Sequence, residues 1–83
     1  MYAVIIQKRA KKFMDKLPFE DKKRIVNALE KLPDNGDIKK LKGYADYYRL
    51  RVGDYRIIYT VDNGKLLVCV VDAGNRGQIY NKY

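Results

Sequence analysis

Tyr47-Tyr48-Arg49-Leu50-Arg51-Val52-Gly53-Asp54-Tyr55-Arg56-Ile57-Ile58-Tyr59-Thr60-Val61 is the stretch that decides the fold. Its period is two, so Tyr47 to Val52 and Tyr55 to Val61 read as strands. Gly53-Asp54 between them suits a two-residue turn, and glycine at its first position fits type II′. That turn sets the register: Val52 faces Tyr55, Arg51 faces Arg56, Leu50 faces Ile57 and Arg49 faces Ile58. Alternation then divides the hairpin. One face carries Tyr48, Leu50, Val52, Tyr55, Ile57, Tyr59 and Val61, a core surface. The other carries Tyr47, Arg49, Arg51, Arg56, Ile58 and Thr60. Three arginines share that face, and two are directly opposed.

Opposed like charges across a strand pair are unfavourable for folding. With head groups about 6–7 Å apart at an effective dielectric of about 20, the repulsion is about 2–3 kcal/mol before salt screening. The side chains must splay into water, borrow Asp46, Asp54 or Asp72 as partners, or serve as a site for a polyanion. Arginine suits the last role because its planar fork holds phosphate oxygens in pairs.

Working outward, Asn63-Gly64 is a second hairpin signal and leads into the strand Leu66-Leu67-Val68-Cys69-Val70-Val71. Beyond it, Ala73-Gly74-Asn75-Arg76-Gly77-Gln78-Ile79-Tyr80 bends at its glycines, which lets Arg76 swing toward the arginine face. Tyr80 reads as a base-stacking platform, a proton-transfer group or an edge-packing aromatic. Toward the N-terminus, Tyr2-Ala3-Val4-Ile5-Ile6 reads as a first strand, buried on both faces. Ala10, Phe13, Met14 and Leu17 then fall at helical spacing, with Lys8, Lys11, Lys12 and Lys16 outside. Leu17-Pro18 ends that helix. Glu20 and Asp21 open a second, whose stripe is Ile25, Ala28, Leu29 and Leu32, and Pro33 with Asp34-Asn35-Gly36-Asp37 stops it. The expected fold is α+β, in the order β-α-α-β-β-β. An antiparallel sheet carries the N-terminal helical hairpin on one face, and residues 1–83 form a single domain.

Composition sets limits on function. The 83 residues contain 18 Lys+Arg and 10 Asp+Glu, a formal charge of +8, which asks for an anionic partner. Residues 1–45 carry ten of the twelve lysines, a solvated helical surface, whereas four of the six arginines lie in residues 46–83. With no His, a Ser-His-Asp triad, a histidine base and a His-ligated metal are all excluded. A single Cys69 excludes an internal disulfide. No apolar run approaches the roughly 20 residues of a membrane-spanning helix. We expect a cytoplasmic protein with no cofactor.

Leu41-Lys42-Gly43, then Tyr48-Arg49-Leu50-Arg51-Val52-Gly53-Asp54-Tyr55-Arg56-Ile57-Ile58-Tyr59, closely resembles the signature of the RelE/ParE superfamily of small toxins. Lys16-Leu17-Pro18 and Asn75-Arg76 followed by Tyr80 are similar to its N- and C-terminal segments. The RelE branch cleaves mRNA on the ribosome without metal, by attack of the ribose 2′-hydroxyl on the adjacent phosphate. The ParE branch inhibits DNA gyrase. The RelE resemblance implies that Arg49, Arg51, Arg56, Arg76 and Tyr80 form the active site of an endoribonuclease. Arg56 and Arg76 would hold the scissile phosphate, Arg49 and Arg51 the flanking backbone, and Tyr80 a base or a proton. Replacing Arg56 with Ala is then expected to abolish cleavage and spare the fold. It also implies a cognate antitoxin with an acidic toxin-binding segment, a toxin–antitoxin hetero-oligomer, ribosome-bound mRNA as substrate and no membrane partner. A gyrase inhibitor, or a non-catalytic basic module binding nucleic acid, is the alternative.

RelE itself has lysines where Arg49 and Arg51 stand here, and several relatives place a histidine near the C-terminal motif. Arginine stays protonated and cannot serve as a general base. Little activity on free RNA is therefore expected, with the rate resting on positioning by the ribosome.

Overall fold

A computed structural model describes residues 2–32, 37–41 and 47–75. Along the chain these form β1 (Ala3–Ile6), α1 (Lys8–Asp15), α2 (Phe19–Glu30), β2 (Asp37–Lys40), β3 (Tyr47–Val52), β4 (Tyr55–Asp62) and β5 (Leu67–Asn75). The strands make one five-stranded sheet in the order β1-β5-β4-β3-β2. Both helices lie against one face. Ala10 and Met14 from α1, Ile25 and Leu29 from α2, and Leu32 meet Leu50, Val52, Ile57, Tyr59, Val68, Val70 and Ala73 in one core. The helical stripes expected from the sequence are the ones that are buried.

Two polar contacts tie the helices down. Asp15 accepts from Lys11 Nζ at 2.8 Å and from Lys22 Nζ at 2.6 Å, and these two ammonium groups hold its carboxyl at a pKa of about 2. Tyr55 donates its hydroxyl proton to Asp21 Oδ2 at 2.6 Å and meets Phe13 edge to face, ring centroids 6.0 Å apart. Asp21 stands in the first turn of α2, where a carboxylate suits the positive end of the helix dipole.

The β3–β4 register is the one the turn imposes, from Tyr47↔Thr60 to Val52↔Tyr55. Gly53 has φ +56°, and Asp54 is not in the left-handed region, as a type II′ turn requires. Four features differ from expectation. First, the sheet is mixed: β1 pairs with β5 in parallel, Ala3↔Leu67 to Ile6↔Val70. Second, β1 is an edge strand, so it is not buried on both faces; Val4 and Ile6 turn toward the helices while Ala3 and Ile5 are exposed. Third, β2 adds a strand antiparallel to β3, Ile38↔Leu50 and Lys39↔Arg49. Its sequence, Asp-Ile-Lys-Lys, carries one apolar residue because an edge strand buries only one side chain of that length.

The fourth difference concerns the β4–β5 connection. Asp62 pairs with Leu67, so four residues, Asn63 to Leu66, form the loop. Neither Asn63 nor Gly64 takes the positive φ that a two-residue Asn-Gly turn needs; Leu66 takes it instead, at φ +51°. The Asp62 carboxylate accepts the Lys65 N–H at 3.1 Å, and this side-chain contact shapes the loop. Further along, β5 carries a bulge. Tyr59 pairs with Val70 and Ile58 with Asp72, so Val71 is the extra residue. Among the described residues, no helix is long and apolar enough to cross a membrane.

Candidate functional site

The sheet face turned away from the helices is the one that the hairpin arithmetic marked with arginines. Its side chains can be followed in rows across the strands. One row runs Lys39 on β2, Arg49 on β3, Ile58 on β4 and Asp72 on β5. The next places Arg51 beside Arg56, and Arg56 beside Gly74. A third runs Tyr47, Thr60 and Cys69. Four cations from three strands thus share one surface.

Those cations are not equivalent. Arg51 is exposed, Arg49 is half-buried, and Arg56 is only 1 % exposed. The opposed pair Arg51↔Arg56 differs sharply in environment, one side chain exposed and the other buried. Gly74 opposite Arg56 has no side chain to compete for that space. Burial of a guanidinium corrects one expectation. A side chain this deep contributes packing as well as charge, so Arg56→Ala removes volume from the structure and does not leave the fold untouched.

Asp72 is the second buried charged residue among those described, 2 % exposed. Its Oδ1 accepts the Ala73 N–H at 2.9 Å, and its Oδ2 lies 3.6 Å from Arg9 Nη1. The bulge determines where Asp72 points. Val68 and Val70 face the core, and unbroken alternation would send residue 72 the same way. The extra residue Val71 re-aims it to the arginine face and gives the core position to Ala73. Sequence reading had Asp72 only as one of three partners for the arginines. It missed Lys39 and Arg9 altogether, counting Lys39 among the solvated lysines of the N-terminal half and giving Arg9 no role.

On the opposite face, Tyr48 and Tyr59 stack with ring centroids 5.6 Å apart, and burial pushes the Tyr59 hydroxyl up to about 12. Tyr55 is raised by its hydrogen bond to Asp21. These tyrosines are structural. A groove of about 310 Å³ between β1 and the helices, lined by Val4, Ile6, Met14 and Val26 with Lys11, Asp15 and Lys22, contains none of the arginines. Among the described residues no group of three His, Cys, Asp or Glu is arranged to hold a metal ion. Of the five expected site residues, Arg49, Arg51 and Arg56 come together on one face. Arg76 and Tyr80 lie outside the described residues.

Such a face on such a sheet defines a class of protein. Residues 4–80 match the family described as "ParE toxin of type II toxin-antitoxin system, parDE", and the chain belongs to this RelE/ParE family of toxins. Among individual relatives, it is 38 % identical over 72 residues to Toxin RelE3 of Methanocaldococcus jannaschii, covering 78 % of this chain and 81 % of that one. The toxin in the crystal structure of the RelB-RelE antitoxin-toxin complex from Methanococcus jannaschii superposes with a TM-score of 0.77 at 32 % identity, over 95 % of this chain and 98 % of the other. The archaeal RelE-RelB complex from Pyrococcus horikoshii OT3 gives a TM-score of 0.76 at 33 % identity, over 93 % and 97 %. The similarity is of the RelE type and spans nearly the whole chain.

Proposed function

We propose that this RelE-type toxin is a ribosome-dependent, metal-independent mRNA endoribonuclease held in check by a cognate antitoxin. The observation that carries the reading is the clustering of Arg49, Arg51 and Arg56 on one sheet face at the cost of opposing two of them. Arg51 and Arg49, the accessible pair, make the first contacts with the RNA backbone and hold the 2′-hydroxyl in line with the scissile bond, where orientation is worth several kcal/mol. The 2′-hydroxyl gives up its proton as its oxygen attacks phosphorus, the P–O5′ bond breaks to leave a 2′,3′-cyclic phosphodiester, and the departing 5′-oxygen takes up a proton. Negative charge grows on the phosphoryl oxygens during this step. Arg56 stabilises it, joined in this reading by Arg76, because a cation in a water-poor site acts more strongly than one in bulk solvent. Direct contact between Arg56 and a phosphate oxygen requires the buried side chain to be uncovered when RNA binds. Tyr80 is assigned the remaining part, stacking on a base or moving a proton.

The antitoxin reading rests on the solved relatives, which are RelB-RelE complexes. The +8 charge favours a partner with an acidic toxin-binding segment, since complementary charge speeds association. Covering the arginine face is the most direct way for such a segment to neutralise the protein.

The test is a cell-free translation reaction with 5′ ends mapped on the message. Wild-type protein should cut translated message and leave free RNA almost intact, and Arg51→Ala should lose most of the cutting while folding normally. Intact translated message with wild-type protein would overturn the reading. One observation favours a second reading: the matched family is described by its ParE member. A gyrase supercoiling assay run beside the translation reaction separates the two, because a ParE-like inhibitor blocks supercoiling and spares the message.

A further inference from the structure

Arg9 stands at an electrostatically unfavourable place for a helix. It is in the first turn of α1, next to Lys8, with no acidic residue there and no side-chain cap on Gln7. The positive end of a helix dipole repels cations. Helix stability therefore gives no reason for two cations at this position. What holds Arg9 is across the chain: its Nη1 lies 3.6 Å from Asp72 Oδ2. The pair is lopsided, with the Arg9 side chain 66 % exposed and that of Asp72 2 %. A buried carboxylate thus lies beside a guanidinium whose side chain is mostly exposed.

The position of that guanidinium is what matters. Asp72 shares a row with Ile58 and Arg49, two strand spacings from Arg49, or about 10 Å. It reaches the arginine face only because the Val71 bulge shifts it there. Just before α1, Gln7 leans the same way, donating from Nε2 to Cys69 Sγ at 3.4 Å, and Cys69 also belongs to this face. The entry to α1 thus borders the arginine face at β5, as Lys39 borders it at β2.

We propose that Arg9 is a further phosphodiester-binding residue of this face, and that Asp72 is the residue that positions it. This rests on the reading of the face as an RNA surface. Binding would uncover the buried side chains of β4, as the proposed function requires for Arg56. The strand of RNA would then run from the β3 arginines to the start of α1, where Arg9 and the helix N-terminus present donors to a phosphate. Asp72 touches no substrate; it holds the guanidinium in place before binding, so less side-chain freedom is lost on contact.

The experiment uses the full chain and a short uridine-rich 2′-O-methyl oligoribonucleotide, which binds without being cut. Affinity is measured by fluorescence anisotropy across a series of salt concentrations. Each lost phosphate contact on a single strand should lower the slope of log K against log salt by about 0.7. Arg9→Ala is expected to show that loss in a folded protein whose melting temperature falls because buried Asp72 loses a cation, and Arg9→Lys to keep the slope. Asp72→Asn, which retains an acceptor for the Ala73 N–H, should weaken binding in the wild-type background and add nothing to Arg9→Ala. Should Asp72→Asn fail to fold, the two Arg9 variants decide by themselves. If Arg51→Ala lowers the slope and Arg9→Ala does not, the Arg9 assignment is wrong and the RNA surface stands. If neither changes it, the face does not bind RNA and both readings fall.

Discussion

On the helix-covered face of the sheet, Leu50, Ile57, Tyr59, Val68 and Val70 are buried among other apolar groups. On the reverse face Ile58 is just as deeply buried, but its neighbours there are Arg56 and Asp72. The first surface is continuous, one cluster fed by both helices, and its energetics are those of hydrocarbon leaving water. The second sets Arg56 and Asp72 near an isoleucine, with further basic residues at the margins. Burial on the first face stabilises the fold outright. Burial on the second costs desolvation that charge interactions offset only in part. The contrast separates the residues that hold this protein together from those proposed to give it a task, although the two sets alternate along the same strands.

The largest test of that division is on the core face. Ile57→Ala should destabilise the protein by about 2–5 kcal/mol, read from urea unfolding, because it empties a fully enclosed position. Its neighbour Arg56 sharpens the comparison. Arg56→Ala should cost somewhat less, about 2–4 kcal/mol, through lost packing. Arg56→Met, which refills most of the volume with an unbranched apolar chain, should recover most of that stability and none of the message cleavage. If methionine restores cleavage, the positive charge is not what Arg56 contributes. The turn joining the two arginine strands comes next. Gly53→Ala places a Cβ at a residue with φ +56° and 2.9 Å from Arg24 Nη2, so about 1–2 kcal/mol should be lost even after Arg24 moves aside.

The smallest effect is a pH dependence of the core face. The Tyr59 hydroxyl is held protonated up to about 12 by burial, whereas in the unfolded chain it ionises near 10. The folded form therefore keeps a proton that the unfolded form releases. This contribution is intact below pH 10 and is lost as pH rises from 10 through 12. Urea midpoints compared at pH 9 and pH 11 should fall more for the wild type than for Tyr59→Phe.

Legibility in the sequence followed the range of the interaction. The β3–β4 hairpin could be read pair by pair, because Gly53-Asp54 fixes the register locally and alternation does the rest. Helical stripes were equally plain. The parallel partner of β1 was not, since nothing near Ala3 names Leu67, and a strand that looks fully apolar can still end at an edge. In β5 the run Val68 to Val71 does not reveal which residue the ladder will skip. One skipped valine decides whether Asp72 points to the core or to the arginines. That is why Asp72 stood only as one of three candidate partners and Arg9 not at all, while Arg49, Arg51 and Arg56 were placed on their face. β2 hid for the opposite reason: two lysines and an aspartate around one isoleucine resemble a loop.

The pairing of β1 with β5 has a consequence in time. The first strand to leave the ribosome can find its neighbour only after the β4–β5 loop and Leu67 to Val70 have been synthesised. Until then α1 and α2 lack Val68, Val70 and Ala73 to pack against, and Arg9 has no Asp72. Contacts between such distant parts of the chain form slowly. Arg49, Arg51 and Arg56 can share a face as soon as the β3–β4 hairpin forms, but the helices and Arg9 gain their partners only when β5 enters the sheet.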